Sequence, residues 1–284
     1  MSPPSSTQVE LLILGAGWTS KFLIPLLESN DVPFAATSRN GRQGTIPFNF
    51  DPSSENNEQY RCLPDATTVL ITFPVTENVK ALVDGYQRVR KHVSVNWIQL
   101  GSTGSFKQSA GWVDRHAGIE HVPRSVQEGE LLKHASATVL HLAGLWGSGK
   151  RYPVYWVKRI APNKTALAAK GSLHLIHGED VARAILATHR NFGKLAGQRW
   201  CISDLRVYDW WELVSSWAPS VQNGECDTAE DPRLWVKQLM GERGVRALPR
   251  PMEQLGRTLD CWEFWEVIGI SPTVTLHSAI AYTA

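Results

Sequence analysis

An apolar run of strand length, Val9 to Leu14, stops at Gly15-Ala16-Gly17 and passes at once into a helical pattern. Phe22, Leu23, Leu26 and Leu27 then share one apolar face. A strand that turns sharply into a helix presents unpaired backbone N–H groups at the positive end of a helix dipole. Backbone can approach an anion closely there only where side chains are absent. Gly15 and Gly17, with Trp18 and Thr19 opening the helix, therefore predict a pyrophosphate-binding turn. The third position of G-x-G-x-x-G/A is Ser20, small enough for close helix–strand packing. The alternative is a plain strand–turn–helix.

A second strand is expected over Val32–Arg39. An acid at its end would hold a ribose 2′-hydroxyl. The chain places Thr37, Ser38 and Arg39 there instead, with Arg42 close behind. Hydroxyl and guanidinium groups suit a 2′-phosphate, which a carboxylate would repel. The cofactor expected is NADP(H), with Ser38 and Arg39 as contacts; the alternative makes Arg39 and Arg42 solvated loop residues.

Further along, strands are expected at 46–50, 67–74 and 94–100, with an amphipathic helix over 79–92 between the last two. Phe73 and Pro74 fall just past the fourth strand, on the edge where such sheets bind ligands. A helix over 125–132, a strand over 138–147, a strand running into a helix over 172–185 and a strand over 199–204 follow. This alternation predicts an α/β fold, a doubly wound parallel sheet of the Rossmann type. A polar tail at 1–8 is expected to be disordered. Residues 9–284 form one domain in this reading, with a small C-terminal substrate lobe made mainly by 146–175 and 205–284. Tryptophan-rich helices over 208–217 and 234–240 belong to that lobe, and their tryptophans read as core in preference to binding surface.

Composition narrows the partners. The formal net charge is +2, so no nucleic-acid or membrane partner is implied, and no run has the apolar length of a membrane span. The four cysteines are scattered without C-x-x-C, which suits free thiols in a cytoplasmic protein and gives no metal site. The expected partner is a small-molecule substrate, with the chain acting as a monomer or homodimer.

The order of four motifs resembles the extended short-chain dehydrogenase/reductases, in particular the atypical branch related to NAD-dependent epimerase/dehydratases. They are Gly15-Ala16-Gly17, Gly101-Ser102-Thr103-Gly104, Leu142-Ala143-Gly144-Leu145-Trp146-Gly147 and Ile176-His177-Gly178-Glu179-Asp180-Val181-Ala182. The resemblance implies hydride chemistry assisted by Ser, Tyr and Lys, the Tyr moving a proton and the Lys lowering its pKa. Ser102 stands at the family's Ser. Phe106 stands where that motif usually has Tyr. The Tyr-x-x-x-Lys pair falls on Val122 and Val126, when Glu130 is aligned with the family's glutamate. No Tyr in the chain has a Lys four residues later.

Valine moves no proton. The acid/base candidates left are Ser102 and His177, with His174 on the same strand or the substrate itself as alternatives, although a core or capping role is the better reading of His177. Thr103, Arg124 and Trp146 are expected to line the substrate site, Arg124 also being placed to pair with Glu128 one turn on. Two functions follow. One is an NADP(H)-dependent oxidoreductase or isomerase acting on a small apolar or aromatic substrate with non-standard acid/base groups. The other is a non-catalytic NADP(H)-binding redox sensor or regulator.

Overall fold

A computed structural model describes residues 8–54, 56–90, 94–107, 109–148, 151–220 and 231–280. The tail expected at 1–8 thus lies almost wholly outside the described residues, as do Cys226 and most of the polar stretch before Pro232.

Seven parallel strands form the central sheet: β1 Val9–Leu14, β2 Phe34–Ser38, β3 Ile46–Pro47, β4 Ala66–Ile71, β5 Asn96–Ser102, β6 Ala137–Leu142 and β7 Arg199–Ile202. Their order across the sheet is β7-β6-β5-β4-β1-β2-β3. The order reverses beside β1, and the crevice past the strand ends at such a reversal is where open α/β sheets bind ligands. The doubly wound parallel sheet read from the sequence is the observed one.

Both faces of the sheet are covered, which is why its strands read as near-continuous apolar runs. On β1, Leu11 and Ile13 pack with α1 (Ser20–Glu28) and the later helix Gly178–Arg190. Leu12 and Leu14 face the other way, toward α2 (Val79–Val89). Contact between the first pair of helices is tight: a Cβ on Gly178 would lie 2.2 Å from the Phe22 ring.

Two runs that read as single strands are each broken by one residue. After β6 the chain passes Ala143 and resumes as Gly144–Trp146. Ser172–Leu173 and Leu175–His177 are likewise separated by His174. The outer pieces leave the main sheet: 144–146 pairs with 175–177, and 172–173 pairs antiparallel with Tyr208–Asp209. A third small sheet joins Gly111–Val113 to Arg257–Leu259, bringing in a segment the sequence did not assign to the lobe. Hydrophobic periodicity marks a strand and not its partner, so these departures had no signal in the chain.

The tryptophan-rich helices Trp210–Ser220 and Pro232–Glu242 pack on each other and bury Trp210, Trp211 and Trp235. Cys62, Cys201 and Cys261 are free thiols, and the Cys201 and Cys261 sulfurs meet at 2.9 Å. Among the described residues no helix is long and apolar enough to cross a membrane.

Candidate functional site

The carboxyl ends of β1, β2 and β4 open onto a cleft of about 840 Å³. Gly15, Gly17, Ser38, Arg39, Phe73 and Pro74 line it, with Ala16, Asn40, Arg42, Phe48, Asn49, Phe50 and Thr72. Six of the eight residues expected to touch a dinucleotide are therefore gathered in one place.

The two glycines do different work. Gly15 has φ +97°, a conformation that side chains rarely adopt, and a Cβ there would lie 2.7 Å from Thr72 Oγ1. Its N–H donates to Thr37 Oγ1 at 3.0 Å and its carbonyl accepts from Thr72 Oγ1 at 2.6 Å. Thr37 is fully committed to this turn, not to a phosphate. Gly17 has an ordinary backbone, and the nearest atom to its Cβ position is the Gly15 carbonyl oxygen, 4.0 Å away. Among the described residues nothing stands in the way of a Cβ at position 17.

Just past it, the backbone N–H groups of Trp18, Thr19 and Ser20 have no acceptor among the described residues. The Ser20 hydroxyl is buried without a hydrogen-bond partner. Unpaired donors at a helix start beside a side-chain-free backbone form an anion site. The Trp18 side chain points elsewhere: its indole N–H donates to Gly147 O at 3.0 Å, and the Arg151 guanidinium lies over its ring. Trp18 and Thr19 do not line the cleft.

At the end of β2, Arg39 is exposed and has no carboxylate partner among the described residues. Arg42 reaches back across the cleft and donates to Ala16 O at 3.2 Å. Ser38 anchors the loop, its hydroxyl accepting from the Arg42 N–H at 3.1 Å and meeting Thr45 Oγ1 at 2.6 Å. Arg42 stands with Arg39 as a phosphate-binding candidate, and Thr72 is a lining residue that no pattern in the chain singled out. Phe48, Phe50, Phe73 and Pro74 supply apolar walls, and no acid lines the cleft. The Phe73 loop is fixed by Gln99, whose amide donates to Phe73 O at 3.0 Å.

A second cavity of about 530 Å³ lies past the ends of β5 and β6. Thr103 and Gly144 line it from the sheet, and Lys170, His174, Arg243, Arg250 and Arg257 are its polar side chains of highest charge or basicity. Among the described residues no aromatic and no acidic side chain lines it. The tryptophans lie in the core, as expected, and cations occupy this wall.

The other expected site residues separate. Ser102 accepts from the Gly104 N–H at 3.2 Å, and its carbonyl accepts from His141 Nδ1 at 2.9 Å. Burial lowers the His141 pKa to about 4, so the ring is neutral and its Nε2 accepts from Arg199 at 3.3 Å. Its 3.6 Å approach to Glu128 is accordingly not an ion pair. Arg124 is held by Glu128 at 3.1 Å and by Leu100 O, the one-turn ion pair in place of a free cation.

His177 is the N-cap of helix 178–190, Nδ1 accepting from the Glu179 N–H at 3.3 Å, with its ring between Phe22 and Trp146. It is a capping histidine. Trp146 is 1% exposed and packs with Leu175, Tyr208 and Leu213, so it is core and not a pocket wall. His174, which the sequence offered beside His177 as an acid/base candidate, does line the second cavity. Its Nε2 accepts from the Leu259 N–H at 3.0 Å, leaving Nδ1 to carry the proton. Burial, then the nearby Arg257 charge, lowers its pKa to about 4. Val122, aligned with the family's Tyr, is exposed just before the helix Pro123–His134. Among the described residues no three His, Cys, Asp or Glu groups are arranged to hold a metal ion.

No protein-family model matches the chain, and no curated protein matches it. Solved structures do. An NAD-dependent epimerase/dehydratase-type protein from Methylobacillus flagellatus superposes with a TM-score of 0.65 at 14% identity, over 98% of this chain and 99% of that one. The chain has the extended short-chain dehydrogenase/reductase fold. A short-chain dehydrogenase/reductase superfamily protein from Agrobacterium tumefaciens with bound NAD gives a TM-score of 0.62 at 9% identity, covering 97% and 95%. RMD from Pseudomonas aeruginosa, complexed with NADPH, gives 0.57 at 14%, covering 96% and 97%. At these identities the likeness is one of fold.

Proposed function

We propose that the chain binds NADP(H) in the cleft at β1, β2 and β4 and is an oxidoreductase or isomerase. Gly17 carries this reading. Among the described residues nothing stands in the way of a Cβ there, yet the glycine adjoins three unpaired N–H groups and the buried, unpartnered Ser20 hydroxyl. A pyrophosphate fits that demand. Gly17 and the N–H groups of residues 18–20 would hold the pyrophosphate, Arg39 and Arg42 the 2′-phosphate, and Phe48, Phe50 and Pro74 the apolar faces.

When bound, the nicotinamide supplies hydride donation or acceptance. The chain's own part is to hold the substrate past β5 and β6 and to manage its proton. His174 supports this role better than His177, because its protonated Nδ1 belongs to a ring lining the second cavity. As a neutral imidazole it offers a substrate oxygen a hydrogen bond from Nδ1–H and keeps that proton. The absence of Tyr-x-x-x-Lys favours a second reading, a non-catalytic NADP(H) sensor. Loss of a general acid/base pair costs roughly 10²–10⁴-fold in rate, so generic carbonyl reduction should be hard to detect in either case.

Calorimetry with NADPH and NADH tests the cofactor. NADPH should bind more tightly, and equal affinity for both would refute the 2′-phosphate assignment. Turnover that falls in His174→Gln while NADPH affinity holds would support the enzyme. Tight NADPH binding with no turnover on any anionic or carbonyl substrate would support the sensor.

A further inference from the structure

The second cavity carries more positive charge than its surroundings compensate. Elsewhere the half-buried and buried arginines have carboxylates: Arg115 has Glu263, Arg183 has Asp180, and Arg199 has Glu128. Within the cavity only Arg250 does, gripping both oxygens of Asp209 from a fully buried position.

Arg257 is half-buried, and the one hydrogen bond of its guanidinium among the described residues is donated to the Thr103 carbonyl at 3.0 Å. Burial pushes its guanidinium below the usual arginine range, the mark of a cation without a counter-charge. Lys170 and Arg243 also have no carboxylate partner among the described residues; Arg243 donates to Ala168 O at 2.9 Å and leans on the Trp211 ring. Three cations thus converge on one cavity in a chain whose whole formal charge is +2.

Arg257 and Lys170 are half-buried and Arg243 is exposed; leaving the first two partly desolvated and without a carboxylate is costly unless an anion completes the site. Beside them His174 offers a neutral N–H donor. Among the described residues no aromatic ring lines the cavity, so none of them stacks a nucleobase there.

We propose that this cavity binds a compact polyanion, a phosphate ester or polycarboxylate without a nucleobase, held by Lys170, Arg243 and Arg257. Its assignment as the substrate rests on the NADP(H) reading above. The anion site itself does not. Oxyanions would face the three cations, and Thr103 and Gly144 would bring the bound molecule against the ends of β5 and β6. Of these, β5 pairs with β4, one wall of the dinucleotide cleft.

The test is calorimetry on the full chain with inorganic pyrophosphate, citrate, uridine diphosphate and NADPH. Pyrophosphate or citrate should bind, the stronger of the two telling phosphate from carboxylate. Lys170→Met keeps the apolar stem and should weaken that binding about tenfold, the scale of a lost charge-assisted contact. Lys170→Met with Arg257→Gln should abolish it, while NADPH affinity stays within about twofold. A melting curve matching wild type checks folding, and Lys170→Met alone decides the matter if the double variant is unstable.

No binding of either anion to wild type, or equal binding to a folded Lys170→Met variant, would overturn the proposal. So would anion binding that Arg39→Ala removes, since that places the anion in the first cleft. Uridine diphosphate binding far more tightly than pyrophosphate would overturn the exclusion of a nucleobase. Anion binding that depends on Lys170 in a chain that fails to bind NADPH would uphold the anion site and refute the cofactor reading.

Discussion

The two cavities on the carboxyl edge of the sheet are built on opposite plans. The first is made of backbone: a glycine turn, a helix start and loop residues within 60 positions of one another. The second is made of side chains drawn from positions 103 to 259, and its wall depends on a buried ion pair. Local construction tolerates change in the distant chain. Assembled construction needs the whole lobe in register.

The largest effect should come from breaking the assembled wall. In Asp209→Asn, the buried Arg250 guanidinium loses its counter-charge, and Asp209 also accepts from the Trp211 and Arg250 N–H groups. Removing one partner of a buried pair costs about 3–5 kcal/mol. Denaturant unfolding measures it; unchanged stability would mean the lobe does not lean on this pair.

The glycine turn should respond in two distinguishable ways. Gly15→Val forces a β-branched residue to φ +97° and against Thr72, so it should lower stability by roughly 1–3 kcal/mol. Gly17→Val should fold with stability within about 1 kcal/mol of wild type and lose about 100-fold in NADPH affinity, roughly 3 kcal/mol. A folded Gly17→Val variant that binds NADPH as well as wild type would show that the cleft is misassigned.

Next in size is cofactor preference. Arg39→Ala should reduce NADPH affinity by about 10- to 100-fold, or 1.5–3 kcal/mol, with little change for NADH. Arg42→Ala should weaken both dinucleotides, because Arg42 also ties Ala16 into the turn. Parallel titrations of the two cofactors separate these outcomes.

The smallest effect is a pH dependence. His174 has a folded pKa of about 4 against an ordinary value of 6.5, so the unfolded chain binds its proton more readily between those values. The stability it contributes is fully present above about pH 6.5 and is lost as pH falls toward 4. Asp204 acts in reverse: burial raises its pKa to about 7, so its contribution is lost as pH rises toward that value. Comparing wild type with His174→Gln removes the Asp204 contribution. The signed slope of unfolding free energy against pH between 4 and 6.5 should be lower, that is less positive or more negative, in the variant by up to about 1.4 kcal/mol per pH unit. Identical slopes would mean that His174 is not held neutral by burial.

The sequence by itself determined the sheet, the turn and the cleft. Apolar runs such as Leu11–Leu14 and Val69–Ile71 are buried on both faces, and Gly15-Ala16-Gly17 sits between a strand and a helix that are contiguous in the chain. Signals of this kind lie within a few residues of what they position, so patterning reaches them. It reached Arg39 and Arg42 for the same reason. That no Tyr has a Lys four residues later also needs no structure to be read.

Tertiary structure alone decided the second cavity. Single-residue breaks at Ala143 and His174 turned two apparent strands into four pieces in different sheets, and no periodicity announces where a strand changes partner. His174 and His177 stand three positions apart on the chain, yet one lines a cavity and the other caps a helix. Charge is equally silent in one dimension. Lys170, Arg243 and Arg257 look like scattered surface cations until folding places them together, and whether a carboxylate stands within reach depends on partners up to 150 residues away. Ion pairing acts through space over a few ångströms, so only the folded chain states which charges are left over.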